Sequence, residues 1–249
     1  CALARPPRGA PCGAASQREP SAGPRAVPVR GAAAGRTSAP KLALPCMSNE
    51  LLVLLVVGVP FAGSFLLPVI GRWSEPARNA LALLFVLVSL GASLALAPAV
   101  QAGATATVRV AGLAAFHADR LAVFMACVST LVGAIIVVYS FGYISHYDWR
   151  NEYYFMVVLF LGSMMGLVFA RNLIVLYVFW EITAIVCWRL IGYFREKDFV
   201  LKANKAFLIT VFGAVMMLLG FIMIYSQAGS FDMGAIRTAL AGRPVANLA

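Results

Sequence analysis

The chain has 249 residues, 61% of them hydrophobic and only 12% charged, and its mean hydropathy is +0.86. That is more apolar surface than one water-soluble core hides, so a soluble globular fold is excluded and an integral membrane protein is indicated. The formal net charge of +10 is no sign of nucleic-acid binding, because seven Lys or Arg lie in the first 46 residues and the others mostly flank apolar runs.

Residues 1–46 stand apart in composition. They combine those seven basic residues with one acid and with many Ala, Gly, Pro and Ser, a mixture that buries too little to form a core. A cysteine at position 1 would suit a lipoprotein, and a basic, acid-poor stretch would suit an organellar transit peptide. The preferred reading makes 1–46 a disordered basic leader of non-native upstream sequence, with Met47 as the native start and 47–249 as the transmembrane region.

Six apolar runs of spanning length follow, near 51–70, 81–100, 121–143, 153–170, 172–192 and 206–226. None alternates with period two, which excludes an outer-membrane barrel. The fold class is therefore all-α, a polytopic integral membrane bundle of six transmembrane helices. Pro60 and Pro68 in the first run are tolerated kinks, and Gly162-Ser163-Met164-Met165-Gly166 in the fourth is read as close packing within the bundle rather than as a dimer face. Odd-numbered loops carry Arg72, Arg78, Arg150, Arg195, Lys197, Lys202 and Lys205, against five arginines on the other side counted from Met47. The positive-inside rule puts loops 71–79, 144–152 and 193–204 in the cytoplasm and both termini outside.

Nothing calls for a cofactor. Cys127 and Cys187 lie in helices without ligand spacing, His117 and His146 lie at membrane edges rather than on facing helices, and no glycine-rich nucleotide motif is present. No metal site and no catalytic redox site are expected in the chain.

Glu181 is the one acid inside a long apolar run, near the middle of 172–192. An acidic side chain at a helix centre costs about 2.5–3.5 kcal/mol on insertion scales, so such residues face protein or water and commonly serve ion or proton traffic. Two cations flank it in sequence. Arg171 precedes the helix, and Arg189 lies about 80° around the axis and about 12 Å along it, too far for direct pairing with Glu181 and well placed to snorkel to the surface. Lys205 opens the sixth run, by position a surface anchor or a channel residue.

The stretch Arg171-Asn172-Leu173 to Phe179-Trp180-Glu181, then Leu190-Ile191-Gly192-Tyr193 and Lys205-Ala206-Phe207-Leu208-Ile209-Thr210, resembles the antiporter-like subunits of complex I, Mrp-type sodium/proton antiporters and energy-converting membrane hydrogenases. Asp119-Arg120-Leu121 and the Tyr139 to Tyr143 exit also fit, so the resemblance spans about residues 115–232. It implies a proton path of water, lysines and one glutamate, with Glu181 matching that glutamate and Lys205 the lysine at the head of the sixth helix. Arg171, where the family usually has an acid, and Arg189 depart from its pattern. The family's broken seventh helix with a central lysine, and its later inverted repeat, lie beyond the residues given, so the resemblance implies half of an antiporter-like fold, an N-terminal fragment or split product.

The function so implied is a proton (or sodium) translocating subunit of a redox-driven membrane complex, or of a cation/proton antiporter. Its partners are the lipid bilayer and other membrane subunits, and its location the bacterial plasma membrane. The alternative is a structural membrane subunit without transport, in which Glu181 stays protonated and hydrogen-bonded within the bundle.

Overall fold

The computed structural model describes residues 48–110 and 113–241, so the expectation for 1–46 lies outside the described residues. The elements run α1 (Asn49–Ser64), α2 (Leu67–Ile70), α3 (Glu75–Gln101), β1 (Ala106–Val110), β2 (Leu113–Ala118), α4 (Arg120–Tyr143), α5 (Arg150–Phe169), α6 (Leu173–Ile191), α7 (Lys197–Ala228) and α8 (Met233–Leu240). Each of the six expected runs is helical. Five of the helices are long and apolar enough to cross a membrane, namely α3 to α7, while the first run is divided between α1 and the short α2.

The prolines explain that division. Pro68 has no N–H to offer the Ser64 carbonyl, and the chain turns at Phe65 and Leu66 before resuming as α2. Pro60 likewise orphans the carbonyl of Val56. The bundle supplies a substitute, because the buried Ser89 on α3 donates its hydroxyl to Val56 O at 2.9 Å.

Helix starts follow local chemistry. Asp119 accepts from Ala122 N at 2.7 Å to open α4, Asn172 accepts from Ile174 N at 2.9 Å to open α6, and Asp232 accepts from Gly234 N and Ala235 N to open α8. Gly229, with φ of 68°, ends α7 in the left-handed conformation that suits glycine.

In the packing, α1 lies between α3 and α5, α4 leans on α3, and α6 and α7 follow in order beyond α5. The two glycines of α5 serve two different neighbours. A side chain on Gly162 would strike the backbone of Phe61 in α1, and one on Gly166 the ring of Phe179 in α6. The G-x-x-x-G spacing thus lets α5 sit tightly between two helices, as packing within the bundle requires.

Two features depart from expectation. An antiparallel hairpin of β1 and β2, bulged between Val108 and Arg109, sits between α3 and α4 where only a loop was expected. Helix α7 begins at Lys197, not near Lys205, because Lys197, Asp198 and Lys202 keep its first turns out of the apolar run without preventing helix formation; Asp198 in the first turn favours it.

Candidate functional site

Glu181 occupies the middle of α6, half-buried, and Tyr177 lies one turn earlier on the same face of the helix. The apolar helix leaves the acid no cation of its own within a turn. Between α5 and α6, the Thr183 hydroxyl donates to Ser163 Oγ at 3.0 Å and Ser163 donates to Phe160 O; Thr183 lies about 200° around the α6 axis from Glu181, so this hydroxyl pair is on the helix face away from the acid.

Lys205 is exposed on α7. The antiparallel register of α6 and α7 is set by Trp188 against Phe207, with ring centroids 5.5 Å apart, and by Tyr177 against Phe221 at 6.5 Å. Lys205 is therefore level with the Leu190 turn, about 14 Å along the axis from Glu181. The two residues are not brought into contact, and Lys205 does not open its helix, which starts at Lys197.

The flanking arginines have carboxylate partners that sequence reasoning missed. Arg189 pairs with Glu152 at the start of α5, which also receives Arg195 Nη2 at 2.8 Å, so the snorkelling expected of Arg189 is replaced by an ion pair between helices. Arg171 Nε is 3.2 Å from Asp232, and its Nη1 lies 3.3 Å from Thr107 Oγ1, itself 3.0 Å from His117 Nδ1. Burial pushes the Asp232 carboxyl up, but the N–H groups of Ala235 and Gly234 and the Arg171 guanidinium outweigh it and hold the group below its ordinary value. Neither partner was legible, since Glu152 and Asp232 are far from the arginines in sequence.

The charged loops gather at one end. Arg150 Nη1 meets Glu75 at 2.7 Å, Arg195 meets Glu152, and the Tyr193 hydroxyl donates to Asp148 O at 2.6 Å, joining loops 71–79, 144–152 and 193–204. The hairpin and the Arg171 network occupy the opposite end. Among the described residues no cluster of His, Cys, Asp and Glu is suited to a metal.

Residues 170–248 match the family model described as NADH:quinone oxidoreductase/Mrp antiporter, TM, and residues 113–155 match that of NADH-Ubiquinone oxidoreductase (complex I), chain 5 N-terminus. These two segments of the chain are thus similar to antiporter-like membrane subunits. Among relatives of this antiporter-like chain, the A1 subunit of a Na(+)/H(+) antiporter of Staphylococcus haemolyticus is 37% identical over 118 residues, 47% of this chain and 15% of that protein. A Na(+)/H(+) antiporter subunit of Alkalihalophilus pseudofirmus is 40% identical over 121 residues, again 47% and 15%. The match thus takes in a small part of the length of the curated relatives. A chain in the structure of the membrane-bound sulfane sulfur reductase, an archaeal respiratory membrane complex, shares the fold with TM-score 0.71 at 18% identity, over 76% of this chain and 40% of that one. The segment 170–248 carries Glu181, Lys205, Arg171, Arg189 and Asp232, and the segment 113–155 carries Glu152, the partner of Arg189.

Proposed function

We propose that this chain supplies the Glu181-bearing helices of an ion-translocating, antiporter-like subunit in a multi-subunit complex of the bacterial plasma membrane. The observation that carries the reading is a single carboxylate at mid-depth in a membrane helix that, among the described residues, makes no ion pair. Glu181 is the relay and Lys205 acts on it through intervening water, since about 14 Å exceeds any direct contact. The names of the relatives support a sodium/proton exchange of antiporter type. With loops 71–79, 144–152 and 193–204 on the cytoplasmic side, Lys205 lies toward the cytoplasmic mouth.

The test is Glu181→Gln in the full-length subunit within its complex, reconstituted in vesicles and assayed for ion-driven pH changes. The amide keeps shape and hydrogen bonding but does not titrate, so transport should fall about a hundredfold with assembly intact, while Glu181→Asp retains part of it. Normal transport by Glu181→Gln at unchanged assembly would leave the structural role as the surviving reading.

A further inference from the structure

At the charged end of the bundle, between α2, α3 and α5, the chain forms a cavity of about 610 Å³. Its polar wall includes Arg72, Glu75, Arg78, Asp148, Arg150 and Glu152, and its apolar wall Pro68, Phe155 and Met156. Two of the three acids are already engaged: Glu75 with Arg150, and Glu152 with both Arg189 and Arg195. The lining thus holds three arginines and three acids, but with Glu75 and Glu152 engaged, Arg72 and Arg78 are left without a paired acid.

Arg78 is the unusual member. It is only 2% exposed, yet every acceptor it reaches is neutral. Nε and Nη2 donate to Asn79 Oδ1 at 3.1 and 2.9 Å, Nη1 donates to Asn151 Oδ1, and the guanidinium lies 4.8 Å from the centre of the Tyr154 ring. Among the described residues no carboxylate lies within ion-pair distance of Arg78 or of the exposed Arg72. Arginine does not escape burial by losing its proton, and a buried cation without a paired counter-charge is costly; Glu75 acts on Arg78 only through space, so the asparagines and the ring solve only the hydrogen-bonding half of the problem. These partners use three of its five N–H groups.

We infer that this cavity binds the phosphate of an anionic membrane lipid, with Arg78 and Arg72 as its ligands. Guanidinium groups pair with phosphate oxygens in a forked geometry, which supplies the missing counter-charge. The source is a lipid rather than free phosphate, because Pro68, Phe155 and Met156 continue the site into the apolar zone, where acyl chains lie. Asp148 on the same wall disfavours a multiply charged free anion more than a singly charged phosphodiester.

The test uses the full-length subunit in nanodiscs of phosphatidylcholine doped with phosphatidylglycerol, with lipid retention read by native mass spectrometry. Phosphatidylglycerol should be retained in preference to phosphatidylcholine, with retention about tenfold weaker in Arg78→Gln and reduced less in Arg72→Gln. If Arg78→Gln fails to fold, the exposed Arg72→Gln decides alone. Equal retention of the two lipids, or an unchanged preference in the variants that fold, would overturn the inference. In a parallel arm, inorganic phosphate is titrated onto lipid-depleted protein while the fluorescence of Trp149, which lines the cavity, is followed. No response at millimolar phosphate is expected, and saturation there would replace the lipid by the free anion.

Discussion

Helices α5 and α7 are both apolar enough to span a membrane, yet they are enclosed to different degrees. Half of the residues in the apolar window of α5 are buried within the chain, against 6% in α7. The glycines tell the same story. Gly162 and Gly166 on α5 are pressed by Phe61 and Phe179, whereas Gly213 and Gly220 on α7 meet nothing within 4 Å. In this region α1, α3 and α5 carry the packing, and α6 and α7, which hold Glu181 and Lys205, form its open flank. Apolar length alone does not distinguish a structural helix from one that presents chemistry.

That contrast is breakable by substitution in the full-length protein. Gly162→Leu drives a side chain into the backbone of α1 and should cost about 3 kcal/mol or more, seen as lost folded yield in detergent. Next in size, Ser89→Ala strips the Val56 carbonyl of its donor beneath Pro60 and should lower stability by about 1–2 kcal/mol in thermal unfolding. Gly213→Ala, on the open flank, should leave stability unchanged or raise it by about 0.5–1 kcal/mol, since it removes only backbone freedom from the unfolded chain. A loss at Gly213 as large as at Gly162 would mean that the rest of the protein packs tightly on α7.

The smallest effect concerns the hairpin end. Because the folded state holds the Asp232 carboxyl below its ordinary value, its contribution to stability is complete above about pH 5 and is lost as pH falls through the folded value. The group is partly exposed, so the change should stay under about 1 kcal/mol. Asp232→Asn should flatten this acid limb of the pH-stability curve, and an unchanged limb would place the titration elsewhere.

Much of the architecture was legible because each membrane helix announces itself as an uninterrupted apolar run, and because Asp119 and Asn172 cap their helices from the positions where the runs begin. Glu181 was legible for the opposite reason: a carboxylate amid Trp180 and Ile182 has no local justification. The hairpin was not, since its strands are only five and six residues long and are bounded by longer apolar signals. The start of α7 was hidden because charge ends a membrane span without ending a helix. Partners such as Glu152 for Arg189, 37 positions away, depend on how helices meet, which periodicity within one helix does not encode.

One further consequence lies in how α6 is held. At its first turn Leu173 N donates to Phe231 O at 3.0 Å and Arg171 grips Asp232, while at its last turn Arg189 grips Glu152 and Trp188 Nε1 donates to Asn204 at 2.9 Å. Mechanically it is a beam clamped at both supports. Sliding like a piston or turning about its axis would break both clamps together, so on the proposed relay reading a proton arriving at midspan has only lateral and local responses open to it: a rotamer change at Glu181 or Tyr177, or a bow of the helix toward α7.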